Sequence, residues 1–255
     1  MPRANRYIVP GNIYHLTHRC HDRKFLLRFA RDRNNYRTRL RQAVLESDVS
    51  LLTYNITCNH VHLIAYADAA QQIAVLMQQA AGESARDYNR RKKRSGAFWE
   101  GRYHATMVDS GEYLWQCVKY VELNMVRCGV VRHPREWRWS GYSELMGWRR
   151  RNRLLDLDKM LWLLRASQAD EFRLHLNWAL EEAIAKDQLK REEKWTSSLA
   201  VGSREFTEGI EVRLRNRQTS ECCEEGDVWV LREDYGLGFR PENQAMGSFE
   251  VPDFQ

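Results

Sequence analysis

The sequence lacks an apolar run of the length that a membrane-spanning helix needs. Its mean hydropathy is strongly negative, and no stretch approaches the roughly 18 consecutive apolar residues of a transmembrane segment. The basic residues 1–6 are not followed by an apolar segment, so we predict no secretory signal. These absences exclude a membrane-spanning protein and favour a cytoplasmic one.

Cysteines are few and irregularly spaced. Six cysteines in 255 residues are too few and too scattered for the disulfide framework of a small secreted protein. The adjacent pair Cys222-Cys223 also lacks the spacing of a metal site. We therefore predict reduced thiols. The sequence contains neither an internal repeat nor a low-complexity tract.

Positive charge is concentrated in the first part of the chain. The formal net charge is only +6, but residues 1–154 hold 27 Lys and Arg against 13 Asp and Glu, a balance of +14. Residues 155–255 hold 13 against 21, a balance of −8. This asymmetry predicts a basic part that binds a polyanion, followed by an acidic extension. The alternative is that the arginines only solvate helix faces.

Hydrophobic periodicity predicts alternating strands and helices in the basic part. Strands are predicted at residues 13–18, 51–57, 61–65 and 97–108, and helices at 31–47, 71–88 and 111–125. This order is typical of an α+β fold with helices packed on an antiparallel sheet. Residues 90–96 are predicted to form a mobile loop, because five consecutive basic side chains repel one another. The acidic part is predicted to be helical to about residue 217, with a partly disordered tail from Arg232 onward.

Two histidines alternate within one predicted strand. His60 and His62 are two residues apart, so their side chains share a face while Val61 and Leu63 point to the other face. Two imidazoles on one face can chelate a divalent metal ion. However, a chance His-x-His match is expected in about one of four chains of this composition. Two histidines on a solvated face are therefore the alternative.

The predicted helix over residues 111–125 carries a second set of polar side chains. Cys117, Tyr120 and Asn124 fall on one face of this helix. A tyrosine hydroxyl there could attack phosphorus as a nucleophile, and the amide oxygen of Asn124 could complete a His-His-amide site. Neutral nitrogen and oxygen ligands favour Mg²⁺ or Mn²⁺ over structural zinc. A packed helix residue is the alternative for Tyr120.

Five blocks of residues follow one another in the order of a known family. They are Tyr14-His15-Leu16-Thr17 within residues 6–19, Asn59-His60-Val61-His62-Leu63, Phe98-Trp99-Glu100-Gly101-Arg102-Tyr103, residues 120–129 from Tyr120 to Gly129, and Trp139-Ser140-Gly141-Tyr142. Over about residues 6–145 the chain resembles the single-tyrosine HUH endonucleases, and within them the REP-associated tyrosine transposases of bacteria.

The resemblance implies a role for each matching residue. His60 and His62 correspond to the metal ligands of the family, Asn124 to a third ligand, and Tyr120 to the nucleophile. The implied fold is a ferredoxin-like antiparallel sheet with packed helices over residues 1–150. An acidic, mainly helical C-terminal extension follows over residues 151–255.

The resemblance also implies an activity and its partners. The family cleaves and joins single-stranded DNA beside REP-like palindromic hairpins, by metal-assisted transesterification through a 5′-phosphotyrosine. We therefore expect a divalent cofactor, Mg²⁺ or Mn²⁺, and a bacterial nucleoid-associated enzyme. We expect a monomer, with a dimer as the alternative.

Basic and aromatic residues near the motifs are predicted to contact DNA. Phosphates attract cations, and unpaired bases stack on aromatic faces. The predicted contacts are Arg19, Arg23, Lys24, Arg90, Arg91, Lys92, Lys93, Arg94, Arg102 and Tyr103. A solvated surface is the alternative for each arginine. His104 is predicted to be structural, with a spare metal ligand as the alternative. Trp137, Trp139 and Trp148 are predicted to be core residues, with an aromatic and basic DNA-contacting surface as the alternative.

Four positions depart from the family pattern. Cys58 and Met125 stand where the family has proline, Cys128 replaces alanine, and Gly141 replaces serine. Without proline at 125, the helix can continue past Asn124.

The competing functions are a hairpin-binding regulator without turnover and a relaxase or replication initiator. Because the chain has no phosphate-binding Gly-Lys-Ser/Thr loop, any helicase would be a separate protein.

Overall fold

A seven-stranded sheet forms the centre of the computed structural model, which describes residues 8–214 and 220–233. The strands are β1 (Asn12–Arg19), β2 (Ser50–Ile56), β3 (His60–Ala67), β4 (His104–Val108), β5 (Ala200–Gly202), β6 (Ser220–Glu225) and β7 (Val228–Glu233). Across the sheet they follow the order β2-β3-β1-β4-β5-β7-β6. Neighbouring strands are antiparallel, except that β4 and β5 run parallel.

Helices connect the strands and continue into the acidic part. They are α1 (Ala30–Ser47), α2 (Ala70–Met77), α3 (Ser84–Arg91), α4 (Glu112–Glu122), α5 (Asn124–Arg127), α6 (Tyr142–Leu145), α7 (Leu157–Leu164), α8 (Ala169–Ala185), α9 (Lys194–Ser197) and α10 (Arg204–Leu214). A π-helical segment, Gln78–Glu83, joins α2 to α3. In the described ranges, no helix combines the length and apolarity needed to cross a bilayer.

Apolar side chains cover both faces of the sheet. Alternation along β1 places Tyr14 and Leu16 in one buried cluster, together with Tyr36 and other residues of α1. Ile13 points the other way, into a second cluster that contains Val118 and further residues of α4. The sheet therefore separates α1–α3 on one side from α4, α7 and α8 on the other. This confirms the predicted α+β class.

The acidic part contributes strands as well as helices. The sequence predicts a helical segment up to about residue 217, and the structure corrects this because β5 lies at Ala200–Gly202. A three-residue strand carries no readable period, and β6 is SECCEE, which lacks apolar alternation. The division after residue 150 remains a prediction, and the sheet runs across it. The predicted tail from Arg232 overlaps the end of β7, and its part from residue 234 onward lies outside the described residues.

Two of the three tryptophans predicted to be core residues are buried. Trp137 and Trp139 are nearly inaccessible, whereas Trp148 is 58% exposed, so the prediction for Trp148 is wrong. The guanidinium of Arg33 lies 3.8 Å from the ring centre of Trp139 and 4.8 Å from that of Trp137. Arg33 also donates to the carbonyl oxygen of Leu27. The aromatic and basic residues here therefore form a packed structural unit.

The helix that carries Tyr120 continues almost without interruption into α5. Leu123 connects α4 and α5 with helical φ and ψ of −76° and −1°. Met125 is buried in the cluster on the α1 side of the sheet. This agrees with the expectation that a residue other than proline at 125 allows the helix to pass Asn124.

Gly141 occupies a place that has no room for a side chain. A Cβ atom there would overlap Thr53 Oγ1 and would lie 3.2 Å from Glu122 Oε1 and 3.3 Å from Leu155 Cδ1. Thr53 donates a hydrogen bond to the buried Glu122, so its hydroxyl is held in position. The family's usual serine would therefore require this neighbourhood to rearrange.

Changing Gly141 to alanine should lower the free energy of unfolding by about 1–3 kcal/mol, the usual cost of overpacking a core. Its backbone is helical, with φ −71°, so the expected loss is steric. Urea denaturation measures the change. Gly82→Ala is the matched control, because a Cβ at Gly82 meets no atom within 4 Å. Equal stability of the Gly141→Ala variant and the unmodified protein would contradict the packing described.

Candidate active site

The sheet and α4 bring together the four residues predicted to carry the chemistry. His60 and His62 lie on the β3 face that α4 covers, and their ring centres are 4.8 Å apart. Asn124 Nδ2 is 3.1 Å from His62 Nε2. The ring of Tyr120 is centred 6.1 Å from that of His62. The structure thus places the two imidazoles, the amide and the phenol around one position.

Asn55 on β2 fixes the helix over the histidines. It pairs with His62 across the strands, and its Nδ2 donates to the Val121 carbonyl oxygen at 2.9 Å. Both residues are buried, where such a bond is well protected from water. Val121 lies between Tyr120 and Asn124 in the chain, so this bond helps to fix the distance of both residues from β3. The sequence analysis did not identify Asn55.

The turn before β3 orients His60. Thr57 Oγ1 accepts from the backbone N–H groups of Asn59 and His60, which fixes the turn. His60 Nδ1 lies 2.8 Å from Asn59 Oδ1. Since that oxygen only accepts, Nδ1 carries the hydrogen in the neutral ring, and the lone pair is on Nε2. The orientation of His60 and its neutral tautomer, with a bare Nε2, therefore suit a metal ligand.

A third histidine, His15, belongs to the site and was not predicted. It is fully buried on β1, and its Nε2 lies 2.9 Å from Nδ1 of His62. The planes of the two rings differ by only 11°, and their centres are 5.1 Å apart. Its other nitrogen, Nδ1, lies 2.8 Å from the backbone oxygen of Trp195 in α9. The available signal was a histidine between Tyr14 and Leu16 in a predicted strand.

Burial keeps the histidines of the site neutral. It lowers the pKa of His15 to about 4 and that of His60 to about 3. The pKa of His62 lies well below its ordinary value, also because of burial first and then the neighbouring His60. At neutral pH the three rings therefore have lone pairs available for hydrogen bonds or a cation.

Arg127 and Trp195 enclose the ring of Tyr120. The Arg127 guanidinium lies 4.2 Å from the ring centre, and the Trp195 ring is centred 6.3 Å away. Tyr120 is only 4% exposed. Burial raises the pKa of Tyr120, and the charge of Arg127 partly opposes that increase. Neither Arg127 nor Trp195 was singled out from the sequence.

The donor atoms fit a divalent metal ion. Asn124 Oδ1 is buried and has no hydrogen-bond partner, and a half-turn of the amide would place it 3.1 Å from His62 Nε2, where Nδ2 now lies. Two ligands at right angles on Mg²⁺ are about 3 Å apart. In residues 8–214 and 220–233, no group of three or more His, Cys, Asp or Glu side chains could hold a metal ion. The predicted ligands are two imidazoles and one amide, and an amide is not among these residue types.

The residues predicted to contact DNA fall into two groups. Arg19 is near the site, since its charge contributes to lowering the pKa of His60. Arg23 and Lys24 follow β1, and Lys24 pairs with Asp22 at 2.9 Å. Arg102 is exposed, and Tyr103 has its ring edge toward His18, with ring centres 6.3 Å apart.

The basic run forms the second group, and its predicted loop begins only after Arg91. Arg90 and Arg91 end α3, and Arg91 pairs with Asp32 of α1. Arg94 donates to Asn89 Oδ1 at 2.8 Å and to the Ala97 oxygen at 2.7 Å. Neighbouring acceptors thus offset the repulsion on which the prediction relied. Lys92 and Lys93 are exposed.

An exposed aromatic side chain lies beside the basic run. Phe29 is 59% exposed, with Arg28 and Lys92 each 5.8 Å from its ring centre. The sequence analysis did not identify Phe29. His104, by contrast, is structural as predicted, because its Nε2 lies 3.0 Å from the Ser198 oxygen.

Comparison with known proteins assigns the segment that contains these residues. Residues 9–124 match the model of a family described as IS200-like transposases, and this range includes His15, His60, His62, Tyr120 and Asn124. The matched segment therefore contains every residue predicted to carry the chemistry of the candidate site. The family to which this segment is similar is that of the IS200-like transposases.

Two solved structures are similar to the chain. A REP-associated tyrosine transposase bound to a REP hairpin has 16% identity and a TM-score of 0.47, and the match covers 58% of this chain and 86% of that one. A candidate transposase from Deinococcus radiodurans R1 has 20% identity and a TM-score of 0.33, over 47% and 95%. No curated protein sequence matches the chain.

Proposed function

We propose that the protein is a single-strand DNA endonuclease and strand transferase of the REP-associated tyrosine transposase group. The observation that carries the proposal is the meeting of His60, His62 and Asn124 beside Tyr120. A structural role accounts for any one of these residues. It does not account for an amide oxygen buried without a partner next to a neutral imidazole.

Tyr120 acts as the nucleophile in this proposal. Its phenol oxygen attacks the phosphorus of a DNA phosphodiester, and the bond from phosphorus to the 3′ oxygen breaks. The phenol loses its proton, and the departing 3′ oxygen gains one. The product is a 5′-phosphotyrosine with a free 3′-hydroxyl. Because one phosphodiester replaces another, the strand can be rejoined without ATP.

His60, His62 and Asn124 would hold a divalent cation, Mg²⁺ or Mn²⁺. When bound, such an ion supplies Lewis-acid polarisation of a non-bridging phosphate oxygen. The buried, neutral imidazoles keep their lone pairs for this purpose. Arg127 lies over the Tyr120 ring, where its charge favours the phenolate and attracts the phosphate.

We infer that the DNA follows the basic residues around this site. Arg19 pairs with His60 in the strand register. Arg23, Lys24, Arg102 and Tyr103 belong to the same proposed group, and residues 90–94 form a second basic group. Phe29, with Arg28 and Lys92 each 5.8 Å from its ring centre, offers an exposed ring on which an unpaired base can stack. These residues suit single-stranded DNA, and the REP-like hairpins that the resemblance implies are the proposed substrate.

A cleavage assay tests the function. We expect the full-length protein to cut single-stranded hairpin DNA from the flanks of its own gene, beside the hairpin and only with Mn²⁺ or Mg²⁺. The control is an oligonucleotide of the same composition, scrambled so that no hairpin forms. Hairpin binding without cleavage in either metal would count against the enzyme.

A hairpin-binding regulator without turnover is the second candidate. The burial of Tyr120 favours it, since a side chain that is 4% exposed must be uncovered before it can attack DNA. The cleavage assay separates the two functions. For either one, we propose that residues 1–150 form the DNA-binding part, that residues 151–255 form an extension, and that the protein acts as a monomer.

A further inference from the structure

His15 connects the proposed metal site to the C-terminal part of the chain. It lies diagonally opposite His62, which pairs with Thr17 in the strand register. Its Nε2 contacts His62 Nδ1 at 2.9 Å, and its Nδ1 contacts the Trp195 carbonyl oxygen at 2.8 Å. His15 and Trp195 are fully buried, so water does not compete for either bond.

The chemistry of these partners fixes where the hydrogens lie. A carbonyl oxygen only accepts, so Nδ1 of His15 carries a hydrogen and donates it to Trp195. In a neutral ring, Nε2 of His15 is then an acceptor. Within the described ranges no carboxylate hydrogen-bonds His15, so nothing there compensates a charged ring. His62 must therefore donate from its Nδ1, which leaves the lone pair on its Nε2.

The contact on the other side of His62 agrees with this assignment. The Asn124 Nδ2 amide group lies 3.1 Å from His62 Nε2, and an N–H donor needs a bare nitrogen there. The resulting series runs from the Trp195 carbonyl through His15 to His62 and ends at the lone pair that faces Asn124. One backbone carbonyl in α9 thereby selects the tautomer of a proposed ligand 133 positions earlier in the chain.

We propose that His15 is a positioning residue for divalent-cation binding at His60, His62 and Asn124, and that the Trp195 carbonyl sets its orientation. This inference rests on the proposed function. Mutation of a residue that orients a metal-binding histidine typically lowers metal affinity by about 10–100-fold. The C-terminal part of the chain thus helps to form the site through a backbone atom, whose hydrogen-bonding capacity does not depend on residue type.

Mn²⁺ binding to the full-length protein, measured by isothermal titration calorimetry, tests the proposal. We expect His15→Leu to weaken binding about 10–100-fold. We expect His15→Gln to retain most of the affinity, because an amide offers both an acceptor for His62 and a donor for Trp195. Urea denaturation of each variant shows whether it is folded at the temperature of the titration.

His18→Leu is the matched control. His18 is buried on the same strand but points to the opposite face, where its ring stacks on Trp99 with centres 4.3 Å apart. The substitution removes a buried imidazole from β1 and leaves the residues of the proposed site unchanged. Mn²⁺ affinity should therefore be unchanged. If His18→Leu and His15→Leu weaken Mn²⁺ binding equally, the positioning role is overturned.

Nitrogen-15 NMR of the metal-free protein gives a second readout, which a purely structural role would not predict. The expected result is a hydrogen on Nδ1 of His62 and a bare Nε2, with this preference lost in His15→Leu. The opposite tautomer in the unmodified protein would overturn the inference, even if the leucine variant did not fold.

The outcomes also separate this inference from the proposed function. If the unmodified protein binds no Mn²⁺, or if His60→Ala binds it normally, the proposed metal site fails and the role of His15 fails with it. If His60→Ala abolishes binding while His15→Leu binds as the unmodified protein does, the proposed site stands and only the inference about His15 is overturned.

Discussion

Changing Tyr120 to phenylalanine should abolish the covalent protein–DNA adduct while hairpin binding stays nearly intact. The substitution removes only the hydroxyl group, and the ring can keep its contacts with Arg127 and Trp195. Without the phenol oxygen, no bond to phosphorus can form at this position. A denaturing gel of protein incubated with labelled hairpin DNA and Mn²⁺ measures the adduct, and a native gel measures binding.

Tyr113→Phe is the control for this experiment. Tyr113 is on the same helix and half-buried, and it lies two turns before Tyr120, so the variant tests the loss of a tyrosine hydroxyl from α4 in general. The adduct should form normally in Tyr113→Phe. An adduct that persists in Tyr120→Phe would remove Tyr120 from the proposed mechanism.

Changing His60 to alanine should reduce Mn²⁺-dependent cleavage by about 100-fold or more. Metal polarisation of a phosphate contributes several kcal/mol to a reaction, and each 1.36 kcal/mol corresponds to a factor of about ten in rate. The variant should fold, because Thr57 holds the turn through backbone N–H groups that alanine retains. Single-turnover cleavage rates across a Mn²⁺ series measure the effect.

His21→Ala provides the comparison for His60→Ala. His21 is partly exposed, and its Nε2 lies 3.5 Å from Asp22 Oδ1. Cleavage should be close to normal in this variant. Cleavage by His60→Ala at the unmodified rate, with the same dependence on Mn²⁺, would show that His60 is not a ligand.

The sequence was sufficient to predict the parts of the site that depend on local spacing. A separation of two residues in a strand places His60 and His62 on one face, and a separation of four in a helix aligns Tyr120 with Asn124. The order of strands and helices also predicts the α+β class. Each of these inferences needs only the geometry of one element.

The parts that were missed depend on contacts between distant segments. His15 meets His62 because of the register between β1 and β3, and Trp195 reaches His15 across 180 positions of the chain. No periodicity encodes such a contact. The ion pair at the start of the basic run was missed for a similar reason, since Asp32, which pairs with Arg91, lies 59 positions away.

The strand β6 carries a high density of acidic side chains at one edge of the sheet. β6 is the last strand of the sheet at the end formed by the C-terminal part, and its sequence, SECCEE, contains Glu221, Glu224 and Glu225. A sheet edge can recruit a strand from another molecule, and a row of like charges opposes this through repulsion. Among the described strands, this acidic edge therefore disfavours edge-to-edge pairing between two copies of the protein.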